Sequence, residues 1–194
     1  MRFLTLNTHS WCEIHQILKI RTLAKFIIEQ QVDVIALQEV NQLTSTPVVK
    51  DPLNYRGGAG IPVREDNYAL LLVQALNEMG ATYEWTLTET HIGWDLYDEC
   101  VAILSRLPIR GIKPIEMSPD YDYHQVQRRA AQAALIETDG YLLVRHHPHV
   151  LVGLRRRTPL RAGIHPPLAG TRRMRPHRTR TTRRRLQLRR SSER

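Results

Sequence analysis

Cysteine and long apolar runs are nearly absent from this sequence. Its 194 residues include two cysteines, Cys12 and Cys100, which form no C-x-x-C pair and no disulfide framework. Such low cysteine usage is typical of proteins in a reducing compartment. No apolar run approaches the roughly 20 residues of a transmembrane helix, and the run at the N-terminus is too short for a signal peptide. We therefore expect a cytoplasmic protein without a membrane partner.

Acidic residues and lysine are missing from the C-terminal part of the chain. Residues 141–194 contain 16 Arg, no Lys and a single acid, Glu193, which is a net charge of +15. Residues 1–140 contain 12 Lys and Arg against 18 Asp and Glu, which is a net charge of −6. The overall charge of +9 therefore comes entirely from the C-terminal segment. The first 140 residues have the composition of an ordinary, mildly acidic globular domain.

The first 40 residues predict a strand, a helix and a second strand. Residues 2–7 alternate in polarity as a strand does, and apolar residues recur at helical spacing from residue 17 to residue 31. Residues 32–37 form a short, β-branched run that is typical of a buried strand. The two strands of such a βαβ unit are parallel, and its crossover is right-handed in nearly all proteins.

Both predicted strands lead into a polar side chain. Asn7 ends the first strand, and Glu39, in the stretch V-I-A-L-Q-E-V-N-Q, lies just beyond the second. Ligands of α/β sheets bind in the crevice at the carboxyl ends of the strands, so both side chains should point into one cleft. Position alone leaves a second interpretation equally open, in which Glu39 is a solvated residue at the start of a loop.

The following residues interleave helices and strands. Residues 43–65 are rich in Pro and Gly and predict an exposed loop. The spacing of apolar residues predicts a helix over 67–79, capped by Asp66 or Asn67. Strands are predicted for residues 83–88, 100–106, 133–138 and 141–144. This alternation is typical of an α/β domain.

Four fragments carry a resemblance to a known family. They are L-N-T-H-S-W (6–11), A-L-Q-E-V-N-Q (36–42), H-I-G-W-D-L-Y-D-E-C-V-A-I-L-S-R-L-P-I (91–109) and Q-R-R-A-A-Q-A-A-L-I (127–136). In this order they resemble the endonuclease/exonuclease/phosphatase superfamily, whose fold is the DNase I-like α/β sandwich. The first and third look most like the bacterial branch of sugar-phosphate phosphatases that contains maltose 6′-phosphate phosphatase. The resemblance covers residues 1–143 and therefore implies an incomplete sandwich.

The resemblance implies catalytic and metal-binding roles for two residues. Asn7 matches the family's N-terminal asparagine, which helps to hold the metal and phosphate region. Glu39 matches the family's glutamate ligand of Mg²⁺, with Mn²⁺ as an alternative ion. The chemistry agrees, because Mg²⁺ prefers oxygen ligands and usually takes one or two carboxylates together with substrate phosphate and water.

The resemblance also implies candidates for substrate binding. His91 and Asp95 lie where related phosphatases have a substrate-facing loop, and Arg129 matches a family arginine that precedes the strand predicted at 133–138. The alternative for the loop residues is a solvated, acidic surface. The alternative for Arg129 is a structural salt bridge.

Motifs that the family carries in its second half are not found here. They are a T-x-H histidine, an Asp-x-Asn pair and a late Asp-His pair that activates the attacking water. No Asp follows Asp139. The resemblance therefore implies a metal-dependent phosphoesterase for a small phosphate ester such as a sugar phosphate, but we expect this chain to be weakly active or inactive.

Two explanations compete for the Arg-rich segment 144–194. As a basic arm it would bind nucleic acid through phosphate contacts, and the chain would be a non-enzymatic nucleic-acid-binding protein. A nuclease of the same superfamily is a further alternative. Nucleic acid is the less favoured partner, because an electrostatic arm has no reason to avoid Lys. The second explanation, which we favour, is a reading-frame slip in GC-rich DNA.

The genetic code supports the frame slip. Two Trp codons read one base early encode Leu, Met or Val, then Val, then Gly, Ala, Asp or Glu, and the chain has Leu151-Val152-Gly153. Thr-Thr-His read in the same way becomes His-His-Pro, as at residues 146–148. With suitable codons, residues 144–161 read back as a peptide containing T-T-H-M-S-W-W, which resembles the missing family segment. We therefore expect 144–194 to be a disordered tail whose histidines form no metal cluster.

Overall fold

The computed structural model of the chain describes residues 1–147 and 150–157. Its helices are α1 (Gln16–Glu29) and α2 (Tyr68–Glu78). Its strands are β1 (Phe3–Asn7), β2 (Val34–Leu43), β3 (Tyr55–Ala59), β4 (Glu84–Gly93), β5 (Tyr97–Ser105), β6 (Ile109–Glu116), β7 (Ala130–Glu137), β8 (Tyr141–His147) and β9 (Val150–Arg157). No helix in these ranges combines the length and apolar character needed to cross a membrane.

The strands form two sheets. The first has the order β1-β2-β5-β4-β3 and the second the order β6-β7-β8-β9. β1 and β2 pair in parallel, with Asn7 opposite Gln38, and α1 connects them. The βαβ unit and the α/β fold class predicted from the sequence are therefore confirmed.

Both helices pack on one face of the first sheet. α2 begins after Asn67, whose Oδ1 accepts hydrogen bonds from the backbone N–H groups of Ala69 (3.0 Å) and Leu70 (3.2 Å); such a cap contributes about 1 kcal/mol. The helices and the sheet share a large apolar core. Its largest fully buried side chains are Ile20, Ile27, Ile35, Leu37, Leu70, Leu72, Leu76, Tyr83, Trp85, Leu87 and Leu104.

The second sheet packs against the opposite face of the first through a smaller core. The buried side chains of this core are Val34, Ile103, Ile109, Ala134, Ile136, Leu142 and Val144. Polar contacts also join the sheets, because the Gln132 amide donates hydrogen bonds to the hydroxyls of Thr86 (3.0 Å) and Thr88 (2.9 Å). The first sheet is thus covered on both faces.

Three segments pair more extensively than the sequence pattern predicts. β2 continues through Q-E-V-N-Q to Leu43, because residues 40–43 pair with residues 97–100 of β5. Residues 91–99, expected to be a loop, belong to the β4–β5 hairpin. β3 lies inside the expected loop 43–65 and pairs with β4. In each case ladder hydrogen bonds satisfy backbone groups and override the weak strand propensity of polar residues and glycine.

β8 crosses the domain boundary expected after residue 143. It runs Tyr141–His147 and pairs with β9. Its alternate residues Leu142, Val144 and His146 are buried, which explains why the strand continues past the boundary. The rest of the segment expected to be a disordered tail, residues 148–149 and 158–194, lies outside the described residues.

Candidate functional site

Glu39 lies on a bulge of β2. Leu37 pairs with Ala102 of β5 and Val40 with Cys100, so that Gln38 and Glu39 together face Val101 alone. Glu39 has a φ of 52°, which is uncommon for a residue other than glycine. Bulges of this kind redirect a side chain and occur often beside active sites. Glu39 therefore lies within β2. The sequence pattern had predicted that it lies just beyond the end of this strand.

Asn7 and Glu39 converge as the βαβ prediction requires. The Asn7 amide nitrogen donates a hydrogen bond of 2.7 Å to Oε1 of Glu39, and its Oδ1 accepts one from the backbone N–H of His9 at 3.0 Å. The Thr8 hydroxyl lies 2.8 Å from the carbonyl oxygen of Glu39. The turn after β1 thus fixes both the backbone and the carboxylate of Glu39.

His146, a buried histidine of the second sheet, forms a hydrogen bond to the backbone beside this bulge. His146 Nε2 lies 2.8 Å from the carbonyl oxygen of Leu37, and since a carbonyl can only accept, Nε2 carries the proton. The neighbouring Gln38 amide donates to the Thr5 hydroxyl at 3.0 Å. His146 therefore serves as a hydrogen-bond donor between the sheets.

A cavity of about 280 Å³ opens in front of Glu39. Its walls come from the turn after β1, from β2, from the β4–β5 hairpin and from the segment before β7. The lining residues are His9, Cys12, Glu39, Asn41, His91, Gly93, Trp94, Tyr97, Glu99 and Val126. Two carboxylates line this cavity, and among residues 1–147 and 150–157 no Lys or Arg lines it.

Glu99 and His91 lie side by side in this cavity. His91 is 7% exposed, and its Nε2 is 3.6 Å from Oε1 of Glu99. Burial, then the negative charge of Glu39, raises the pKa of Glu99 to about 7, although the charge of Arg129 opposes this rise. Burial, then the charges of Arg129 and Arg128, lowers the pKa of His91. At neutral pH the imidazole is therefore neutral, and Glu99 is close to half-protonated.

The chain matches a known protein family over most of its length. A profile of the Endonuclease/Exonuclease/phosphatase family matches residues 17–192. The chain belongs to this family. The resemblance found in the four sequence fragments is therefore confirmed at the level of the superfamily.

A solved structure of the family has a similar fold. An endonuclease/exonuclease/phosphatase family protein from Leptotrichia buccalis is 30% identical, with a TM-score of 0.67 over 75% of this chain and 52% of that one. An endonuclease/exonuclease/phosphatase from Beutenbergia cavernae is 17% identical, with a TM-score of 0.49 over 75% of this chain and 36% of that one. The chain thus spans about half the length of the Leptotrichia protein. Among curated proteins no match was found.

Of the three family residues predicted to bind substrate, His91 alone lines the cavity. Asp95 is exposed in the turn of the β4–β5 hairpin. Arg129 is half-buried, and its guanidinium donates hydrogen bonds to the carbonyl oxygens of Val126 (2.5 Å) and Arg128 (2.8 Å). Arg129 therefore holds the segment before β7 and acts on the cavity through its charge.

The lining residues that the sequence analysis did not predict include Asn41, Trp94 and Glu99. Glu99 pairs with Asn41 of β2 on one side and with His91 of β4 on the other. This row of three polar side chains across adjacent strands exists only because β2, β4 and β5 extend beyond their predicted ends. A signal was present in G-W-D-L, since a short polar turn between alternating runs indicates a hairpin.

The resemblance implies a Mg²⁺ ion, and the side chains around the cavity decide which residues could hold it. Within residues 1–147 and 150–157 there is no group of three or more His, Cys, Asp or Glu placed to hold an ion. Glu39 faces the cavity, whereas Asn7 presents its amide nitrogen to Glu39. One carboxylate with water and substrate phosphate is a donor set that Mg²⁺ accepts. The residues present therefore fit a Mg²⁺ ion bound jointly by Glu39 and a substrate.

Proposed function

We propose that this chain is a metal-dependent phosphoesterase whose substrate is a small phosphate monoester, such as a sugar phosphate. The supporting observation is the Glu39 carboxylate, held by Asn7 on a strand bulge at the wall of a cavity. Family membership supports hydrolysis of a phosphate ester. Mg²⁺ is the proposed ion, and Mn²⁺ is its alternative.

Each residue near the bulge has a distinct role in this proposal. Glu39 would hold the cation, which when bound would supply Lewis-acid stabilisation of negative charge on the phosphoryl group. Asn7 is a positioning residue, because its amide fixes the carboxylate of Glu39 at 2.7 Å. His91 is neutral and lies at the cavity wall, where it can exchange a hydrogen bond with the ester.

The electrostatics of the cavity favour a cation and a small ester over nucleic acid. Glu39 raises the pKa of Glu99, which means that the two carboxylates repel each other across the cavity. A cation relieves that repulsion. Nucleic acid is bound mainly by Lys and Arg contacts to successive phosphates, and in the part of the chain that the structure describes neither residue type lines this cavity. A nuclease activity is therefore the less favoured alternative.

We further propose that residues 144–194 are encoded out of frame and that the chain is consequently weakly active. The family's general base and its later carboxylates belong to motifs that the sequence after Asp139 lacks. Loss of a general base alone typically lowers the rate by roughly 10²–10⁴-fold. The encoding DNA, read in the shifted frame, should contain an Asp-x-Asn motif and a late Asp-His pair.

The test measures phosphate release from hexose 6-phosphates by the full chain, with Mg²⁺ and with EDTA. We expect slow release that EDTA abolishes and that Glu39→Gln lowers at least 100-fold, since the carboxylate is the proposed cation ligand. The matched control is Glu29→Gln, an exposed carboxylate on α1, which should leave the rate unchanged. A single-base correction of the reading frame near codon 144 should raise the rate by roughly 10²-fold or more.

Two outcomes would contradict the proposal. Absence of metal-dependent phosphate release from both the natural and the frame-corrected chain would exclude the phosphoesterase. Binding to unrelated DNA sequences that weakens steeply with salt, without hydrolysis, would favour the nucleic-acid-binding alternative.

A further inference from the structure

Trp94 is the most exposed large aromatic side chain of the described residues. It is 76% exposed and lies in the turn that joins β4 to β5, and it also lines the cavity in front of Glu39. Placing an indole in water forgoes the stabilisation that its burial would contribute. Stability of the fold therefore does not explain a tryptophan at this position.

The backbone at Trp94 is also unusual for a bulky residue. Trp94 and Asp95 have φ values of 49° and 53°, and the backbone N–H of Leu96 donates to the carbonyl oxygen of Gly93 at 3.0 Å. This geometry is a turn in which Asn and Gly are the favoured central residues. A tryptophan adds strain here, and strained residues cluster at functional sites.

Tyr97 holds the indole from the side. The two ring centroids are 6.5 Å apart and the rings are inclined at 73°, an edge-to-face arrangement. This geometry is a favourable one for aromatic pairs. Most of the indole remains exposed at the mouth of the cavity, where it offers an aromatic wall.

Polar groups line the cavity beside this aromatic wall. Asn41, Glu99 and His91 lie in register on three adjacent strands. An amide, a carboxylate and an imidazole are all partners for hydroxyl groups. A sugar ring combines an apolar C–H face with hydroxyls around its rim, so it complements both parts of the cavity at once.

We propose that Trp94, held by Tyr97, is a stacking platform for the sugar ring of the substrate, and that Glu99 with its neighbours binds the ring hydroxyls. This inference rests on the proposed phosphoesterase function, because Glu39 in the same cavity marks the place of the phosphate. Trp94 then determines which alcohol part of the ester is preferred. Glu39 makes the same contribution to every phosphate ester.

The test is a calorimetric titration of the full chain in the presence of Mg²⁺. The ligands are glucose 6-phosphate, which has a ring, glycerol 3-phosphate, which has none, and AMP, which offers a base. We expect Trp94→Ala to weaken the binding of glucose 6-phosphate about tenfold, the size of an aromatic contact, and to leave glycerol 3-phosphate within about twofold. Trp94→Phe should restore most of the loss.

Leu96→Ala is the matched control. Leu96 is a half-exposed apolar residue of the same turn and does not line the cavity. The Leu96→Ala variant should bind all three ligands as the natural chain does. The midpoint of its thermal unfolding should equal that of the Trp94→Ala variant.

The outcomes separate this inference from the proposed function. Equal losses for glucose and glycerol phosphates, or no loss, would overturn the platform; if Glu39→Gln then abolishes binding of both, the phosphoesterase proposal stands. Tighter binding of AMP that depends on Trp94 would identify a nucleobase platform and overturn the sugar assignment. Absence of binding of all three ligands would overturn the platform, and phosphate release by the natural and frame-corrected chains would then decide the phosphoesterase proposal separately.

Discussion

The two sheets of this molecule are packed very differently. The first sheet lies between two helices on one face and the second sheet on the other, and its helix-side core contains Trp85, Tyr83 and many leucines and isoleucines. The core between the sheets is small and includes an alanine, Ala134. A hollow of about 540 Å³ lies over Ile115, Leu135 and Leu143 of the second sheet. Most of the apolar burial that stabilises the described residues therefore belongs to residues 1–105.

The residues of the candidate site lie mainly on the well-packed first sheet. Glu39, Asn41, His91 and Glu99 all lie on strands of the first sheet, where packing on both faces holds their positions. The second sheet contributes support, chiefly through His146 beneath the bulge. The geometry of the site is therefore set by the well-packed first sheet.

The largest expected effect tests the difference between the two cores. Leu72→Ala removes a fully buried side chain from the helix-side core and should lower the free energy of unfolding by about 2–5 kcal/mol. Leu142→Ala, in the smaller core between the sheets, should cost about 2 kcal/mol, since fewer apolar neighbours surround this side chain. Urea denaturation measures both values. Equal losses, or a larger loss for Leu142→Ala, would contradict the comparison.

An intermediate effect concerns the pH dependence of stability. In the folded state burial raises the pKa of Glu99 from its ordinary value of 4.5 to about 7, so the folded state binds the proton more tightly. Stability should therefore decrease as pH rises from about 4.5 to about 7 and level off above that. Glu99→Gln removes this dependence and should be more stable than the natural chain by about 1–3 kcal/mol at pH 8.

The control for this prediction is the same pair of proteins at pH 4, where Glu99 is protonated and the two stabilities should converge. Denaturation with EDTA present avoids a contribution from bound cations. A stability difference that stays constant from pH 4 to pH 8 would show that Glu99 does not titrate in this way.

The smallest expected effect lies at the surface of the second sheet. Arg110 donates to Glu137 through Nε at 2.6 Å, and both side chains are substantially exposed. Glu137→Gln should change the free energy of unfolding by less than about 1 kcal/mol, and raised salt should reduce that change further. A loss comparable to that of Leu72→Ala would mean that this sheet depends on its surface charges more than on its core.

Local patterns explain what the sequence analysis predicted correctly. The β1-α1-β2 unit and α2 with a cap at Asp66 or Asn67 were predicted, because periodicity and capping depend on neighbours in the chain. The convergence of Asn7 and Glu39 followed from the same unit, since parallel strand ends share one edge of the sheet. Their catalytic and metal-binding roles stay predictions that the experiments above address.

The errors arose where pairing between distant segments decides the structure. Residues 91–99 and 55–59 were predicted as loops, and their polar or glycine-rich sequences gain strand structure from hydrogen bonds to neighbouring strands. Asp95 was grouped with His91 because both lie in one fragment, but the hairpin turn exposes Asp95. Glu99 was not among the predicted site residues, although its neighbours across the ladder place it in the cavity.

The sequence by itself determined the family, the α/β order of the first elements and the carboxylate on which the proposed chemistry depends, because these reside in contiguous motifs. Only the tertiary structure decided that Glu39 lies on a bulge, that Asn41, Glu99 and His91 form a row, and that Trp94 stands at the mouth of their cavity. The physical reason is register, since a shift of one residue between β2 and β5 would turn these side chains to the opposite face.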